Sequence, residues 1–578
     1  MTCQDAILSE QTYDYITDFS VIEMSGIDGL QCDLTVNDQF HVLYVDNGYL
    51  PSLENNVLDY QGIPKLYGLT QIGGSENVTP EPFDPAALIA SGISQVQGPP
   101  LNLTGYGTLI CIIDTGIDYL NPLFRDELGN TRIEAIWDQT VQAGTPPEGF
   151  PYGSEYTRER INLALRSDKP REIVPSMDEV GHGTALASVA AGSQAGLASP
   201  GNAAYTRVVP SGFQGAAPEA GLVIVKCKPA KAYLMDYYLL PSQALAYQEN
   251  DVMLAVKYCE RFAKLFERPV VICLGIGSSI GNHNGTSPLS RYLNQVAVKR
   301  NRVVVVSGGN EGNSAGHYRG NSPVEEVEIR VAEGNAGFYM ELWGRRTNVI
   351  NVEIRSPGGE VIPPIPLGLR QSITFSFVYE KTRVTIYSAL VEPSSGDELI
   401  SFRFVDPTPG IWIIRVISRE NAQDGTFDLW LPLVQFLHSP VYFLSPYPDV
   451  TMTEPAMASE VISVSAYQPA NASFFIESGR GFTRDGFPKP DLSAPGASVS
   501  TVYGKQNGTG FAAALTAGAA AQLLQWAVVE GNAILADSRT VKSYLVRGAK
   551  RSSDLSYPNE EWGYGRLDVS GTFASLRG

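Results

Sequence analysis

The chain has 578 residues, 42 of them Lys or Arg and 61 Asp or Glu, for a formal charge of −19. That balance argues against nucleic acid and anionic membrane surfaces as partners, because both reward basic patches. A hydrophobic share of 43% and a charged share of 18% are ordinary for a globular protein, and the length predicts two to four domains.

No stretch is expected to be long and apolar enough to span a bilayer. Met1-Thr2-Cys3-Gln4-Asp5 lacks the basic start and apolar core of a signal peptide, so an intracellular setting is the expectation. The six cysteines, Cys3, Cys32, Cys111, Cys227, Cys259 and Cys273, form no Cys-x-x-Cys pair. They are expected to be buried free thiols acting as small hydrophobes.

Residues 1–71 read as a small α+β unit, with a strand over Phe40 to Val45 and a last extended segment over Gly62 to Leu69. Residues 72–84 are a polar linker rich in Gly, Pro and Ser. A helix is expected from Asp84-Pro85 to about Gly92. Tyr106 to Ile113 is a continuous apolar run, the pattern of a strand buried on both faces, and it ends in Asp114-Thr115-Gly116-Ile117-Asp118. A polar triplet at the carboxyl end of a buried parallel strand is where α/β proteins place their chemistry. Alone, Asp114 could merely cap the turn.

Gly181-His182-Gly183-Thr184 opens a helix of small residues that runs to Gly192. Ala220 to Lys228 and Pro269 to Gly275 are further buried strands, separated by an amphipathic helix over Asn250 to Phe266. Gly275 and Gly277 would let another strand lie close. Arg302 to Val306 is another strand, and it leads into Ser307-Gly308-Gly309-Asn310-Glu311-Gly312.

The texture then changes. Between about 322 and 435 short alternating segments recur, among them Val327 to Val331, Val352 to Arg355, Ile411 to Val416 and Phe427 to Trp430. Period-two patterning at this spacing predicts an antiparallel sandwich or jelly roll. Four segments are therefore expected: 1–71, 72–321, the insertion 322–435, and 436–578. Trp343, Trp412 and Trp430 are candidate carbohydrate-stacking residues of the insertion, although core packing is their expected role.

Near the C-terminus, Asn507-Gly508-Thr509-Gly510-Phe511-Ala512-Ala513-Ala514-Leu515-Thr516-Ala517-Gly518 is a glycine turn that feeds a small-residue helix. With Asp114-Thr115-Gly116, Gly181-His182-Gly183-Thr184 and Gly309-Asn310-Glu311-Gly312 it resembles, in order and in wording, the motif set of the subtilisin-like serine proteases. In that family the turn reads Gly-Thr-Ser-x-Ala-Ala-Pro. Here Gly510 stands in place of the Ser, and Ala514 in place of the Pro.

The resemblance covers roughly residues 90–320 and 445–570. It implies an α/β fold, a parallel sheet sandwiched by helices. It also implies Asp114 and His182 as triad members, Gly510 at the nucleophile position and Asn310 as an oxyanion donor. Leu274, Gly275 and Gly277 would line the substrate cleft. Residues 1–71 would be a prodomain whose tail lies in that cleft, with Gln71 on the acyl side of a processing bond.

The N-terminal unit, the insertion and the missing signal peptide are similar to the clostridial Csp germination proteases. Some members of that group have lost triad residues and act as regulators. A protein partner and a cytoplasmic or spore-associated setting follow as expectations. No cofactor is implied beyond the calcium that subtilisins often bind, and no contiguous acidic loop offers a metal site here. Three functions are compatible with the sequence. They are an inactive regulatory pseudoprotease, an active endopeptidase whose Ser has been replaced, and a carbohydrate- or partner-binding protein acting through the insertion.

Overall fold

The computed structural model describes residues 2–18, 28–49, 60–71, 82–193, 209–365, 368–418 and 425–576. Most of the sequence-predicted linker, 72–81, lies outside them.

A nine-stranded sheet forms the centre. Its parallel strands are Leu492–Pro495, Ile462–Gln468, Arg302–Ser307, Val270–Leu274, Leu109–Asp114, Gly221–Lys226 and Ile133–Asp138, in that spatial order. Leu109–Asp114 is fully buried, as its unbroken apolar run predicts. Leu109, Cys111 and Ile113 belong to the core on one face, with the helix Glu249–Leu265. Ile110 and Ile112 belong to the core on the other, with the helices His182–Ala191 and Thr509–Leu524. Helices on both faces account for the lack of alternation in the strand.

Thr509–Val529 corrects one expectation. By length and composition this 21-residue segment could cross a membrane. Here it is the central helix of the core, with every residue from Thr509 to Leu524 buried. Its run of Ala and Gly is what close packing against the sheet and the helix His182–Ala191 requires.

The N-terminal unit has a three-stranded antiparallel sheet of Thr12–Thr17, His41–Asp46 and Leu30–Thr35. Its apolar residues, Tyr44 and Val45 among them, are continuous with one face of the main core. Cys3 and Cys32 are joined by a disulfide, which corrects the expectation of six free thiols. The alternating pattern of Leu30–Thr35 turns Cys32 toward the helix Cys3–Leu8, bringing the two Cα atoms to 5.1 Å. Cys111, Cys227, Cys259 and Cys273 are free and buried.

Two further sheets, of six and five strands, lie between Arg302–Ser307 and Ile462–Gln468. Their strands run from His317–Gly320 to Val441–Phe443, wider at both ends than 322–435. The strand Gly337–Gly344 explains how they attach. Phe338, Met340 and Leu342 face the core between the two sheets, while Tyr339 and Trp343 face the main core. Trp343, Trp412 and Trp430 are all buried, so they form no exposed aromatic face.

Buried polar groups fasten the units together. The Glu341 carboxylate accepts from Tyr60 Oη at 2.8 Å, Tyr339 Oη at 2.9 Å, Trp343 Nε1 at 3.0 Å and the Gly281 amide at 2.9 Å. The N-terminal unit, the insertion and the central domain meet on that one side chain. Arg484, fully buried, donates to Asp397 at 2.6 Å and Asp428 at 2.9 Å.

Candidate active site

Asp114 is the last residue of its strand, and His182 is the first residue of its helix. Gly181, at φ 88°, turns the chain into that helix. Asp178 holds the helix start by accepting from the Gly181 amide at 2.7 Å and the Thr184 amide at 2.8 Å. The motif match did not single out Asp178, although an Asp just before a helix start is a capping signal. His182 Nδ1 lies 2.8 Å from Asp114 Oδ1, and both side chains are fully buried. Among the described residues His182 Nε2 has no hydrogen-bond partner. An Asp-bonded imidazole with a free outer nitrogen can accept a proton from a neighbour.

That neighbour is missing. Gly510 lies in the first turn of the helix Thr509–Leu524, and a Cβ built there would be 3.3 Å from His182 Nε2. The position thus faces the imidazole but carries no attacking atom. Thr509 does not substitute, because its hydroxyl donates to Asn310 Oδ1 at 3.1 Å. The Thr509 amide donates to the same oxygen at 3.0 Å, and Asn310 Nδ2 is left without a partner among the described residues.

The cleft is filled by the chain's own N-terminal segment. Leu66–Leu69 pairs antiparallel with Ile276–Gly277 on one side and with Tyr247–Gln248 on the other. The Thr70 amide donates to the Gly275 carbonyl at 3.0 Å, and the Gly510 amide donates to the Thr70 carbonyl at 3.1 Å. The carbonyl at the Gly508–Gly510 turn therefore belongs to Thr70, one residue before Gln71. Gly275 and Gly277 flank the segment, while Leu274 ends the preceding buried strand. Gly508, at φ 144°, must be glycine, since a Cβ there would lie 2.3 Å from the Thr70 carbonyl oxygen.

Further contacts hold the segment, and other buried groups lie near it. Thr70 Oγ1 donates to the Gly275 carbonyl at 2.7 Å and lies 2.9 Å from Ser307 Oγ. Gln435, from the insertion, donates through Nε2 to the Leu69 carbonyl at 2.9 Å. Tyr67 is fully buried, and burial beside Glu249 and Glu454 pushes its phenol well above its usual range. Glu454 accepts from Ser290 Oγ at 2.5 Å and the Gly285 amide at 3.1 Å, and burial raises its pKa to about 7. No cluster of His, Cys, Asp and Glu able to hold a metal occurs among the described residues.

The subtilase family model matches residues 105–353 and 445–565. This chain belongs to the subtilase family. The gap in the match falls within the two-sheet insertion. The structure of the Clostridium perfringens CspB protease is similar at 30% identity, over 85% of this chain and 99% of that one, with a TM-score of 0.73. MycP1 of Mycobacterium smegmatis aligns at 14% identity over 87% of this chain and 88% of its own, with a TM-score of 0.37, which carries no argument. No curated protein matches the chain.

Proposed function

We propose that this subtilase is a catalytically inactive pseudoprotease, with a regulatory or sensing role in spore germination exerted through a protein partner. One observation carries the reading: Gly510, which faces His182, has no side chain with which to attack the Thr70 carbonyl on its own amide. In subtilisin, removal of the nucleophile lowers kcat on the order of 10⁶-fold, and that magnitude is carried over here. In this reading residues 1–71 are a prodomain that stays covalently attached and plugs the cleft. Leu274, Gly275 and Gly277 belong to that cleft, and Asn310 is the oxyanion side-chain donor. The insertion, a jelly roll, braces prodomain and protease domain through Glu341 and Gln435. The likeness to CspB supports the germination setting.

A second reading is an active endopeptidase whose Ser has been replaced. The 2.8 Å contact between Asp114 and His182 favours it, because a long-inactive enzyme is free to lose that pair. Intact mass of the purified chain tests the first reading. The full-length mass is expected to persist on incubation, and spontaneous cleavage beside Thr70 or Gln71 would refute inactivity.

A further inference from the structure

The backbone of Thr70 is held by the Gly275 carbonyl and the Gly510 amide, and its side chain has partners of its own. The residue is only 3% exposed. Its Oγ1 donates to the Gly275 carbonyl at 2.7 Å and lies 2.9 Å from Ser307 Oγ. A hydroxyl carries one proton and two lone pairs. With the Thr70 proton on the Gly275 carbonyl, Ser307 Oγ supplies the proton of the second bond. Ser307 thus meets the segment with a side chain, where Gly275 and Gly510 meet it with backbone.

The sheet holds Ser307 in place for this contact. The residue ends the strand Arg302–Ser307, is fully buried, and pairs with Val464 on the neighbouring strand. The next amide, that of Gly308, donates to the Val464 carbonyl at 2.9 Å. Gly510 supplies room on the other side, because a Cβ there would lie 3.0 Å from Thr70 Oγ1. The hydroxyl is therefore enclosed by Gly275, Ser307 and Gly510. A valine in its place would have the same shape but would turn a methyl group toward Ser307. A buried polar group that loses its partner costs its full desolvation. A site built to bond a hydroxyl therefore rejects the analogue that lacks one. A longer side chain would have to push the enclosure apart.

We propose that Ser307 makes the cleft selective for a β-hydroxy residue, Thr or Ser, at the position whose carbonyl sits on the Gly510 amide. The same requirement applies to any partner segment that takes the place of the chain's own tail. The inference deepens the reading of the cleft as a peptide-holding site and rests on it.

Hydrogen exchange at the Gly510 amide of the full chain tests the selectivity. That amide donates to the Thr70 carbonyl, and its own sequence neighbours are the same in every variant. Exchange is expected to be roughly tenfold faster in Thr70→Val and in Ser307→Ala, as loss of one buried bond requires. The double variant should be no faster than the faster single one, because both changes remove the same contact. Thr70→Ser should stay close to the native chain. Amides of the helix His182–Ala191 report on general loosening and should not change. If Thr70→Val does not fold, Ser307→Ala decides the matter alone. Native exchange in either folded single variant, additive effects in the double one, or Thr70→Ser as fast as Thr70→Val would each overturn the proposal. Intact mass of the same samples reads self-cleavage separately, so failure of the pseudoprotease reading is distinct from failure of this one.

Discussion

The two sides of the cleft differ in what they are made of. The Asp114–His182 side is a pair of side chains, held at 2.8 Å by the end of a strand and the start of a helix. The opposite side, Gly508 to Gly510, works mainly through backbone, with the Gly510 amide on the Thr70 carbonyl at 3.1 Å. With glycine at 510, the second side grips the segment through backbone alone, and in the proposed reading only the reaction is absent.

Restoring the side chain is the largest test of that contrast. A Cβ at Gly510 would lie 3.0 Å from Thr70 Oγ1 and 3.1 Å from the Thr70 carbonyl oxygen, so the segment must give by a few tenths of an ångström. Gly510→Ser is expected to cut its own chain between Thr70 and Gln71, faster than the native chain by on the order of 10⁶. Intact mass reads the fragment, and Gly510→Ser combined with His182→Ala should stay whole. A cut after Gln71 would move the register by one residue. No cut at all would mean that the Asp114–His182 side has also lost its function.

The site was legible in the sequence where its geometry is local. Asp114, His182, Asn310 and Gly510 each sit in a short motif at the end of a strand or the start of a helix, and those motifs fix the backbone around them. The register of the N-terminal segment was not legible, because the pairing of Leu69 with Ile276 sets it across more than two hundred residues. The same holds for the ends of the insertion. His317–Gly320 pairs with Phe427–Trp430, and Val441–Phe443 with part of Val324–Val331, so neither short strand has a pattern of its own. Gln435 reaches the Leu69 carbonyl from the insertion, and no local spacing announces that contact.

A second test removes the anchor of the N-terminal unit and leaves both sides of the cleft untouched. Lys231 Nζ is 2.6 Å from Asp14 Oδ1, with both side chains almost fully buried. Asp14→Ala strands that ammonium, a loss of about 3–5 kcal/mol for a buried pair broken on one side. Limited proteolysis should release fragments of residues 2–71 from the variant while the central domain stays intact. Unchanged resistance would mean that the cleft alone holds the segment.

A third test concerns Glu454, a buried acid whose charge acts on Tyr67. Burial raises Glu454 to about 7 from an ordinary value of 4.5. The folded chain therefore holds this proton where the unfolded chain has lost it. The stabilisation is full below about 4.5, falls as pH rises towards 7 and is absent above, a change of up to about 3 kcal/mol. Glu454→Gln should show a smaller fall in denaturation midpoint between pH 5 and pH 8 than the native chain. A slope remains in the variant, because burial also raises Glu398 to about 8. Identical slopes in both proteins would show that Glu454 is charged throughout.

The smallest effect is expected where the insertion touches the bound segment. A Cβ at Gly68 would lie 2.7 Å from Gln435 Nε2 and 2.9 Å from Leu433 Cδ1, both the far ends of flexible side chains. Gly68→Val should push Gln435 off the Leu69 carbonyl at a cost of about 1–3 kcal/mol. If that contact helps to close the cleft, amide exchange at Thr70 rises roughly tenfold, as a loss of about 1.4 kcal/mol from local opening requires. The amides of His182–Ala191 should not change. Equal exchange at Thr70 in both proteins would assign the whole grip to Gly275 and Gly510, and the insertion would then brace the molecule through Glu341 without holding the segment in place.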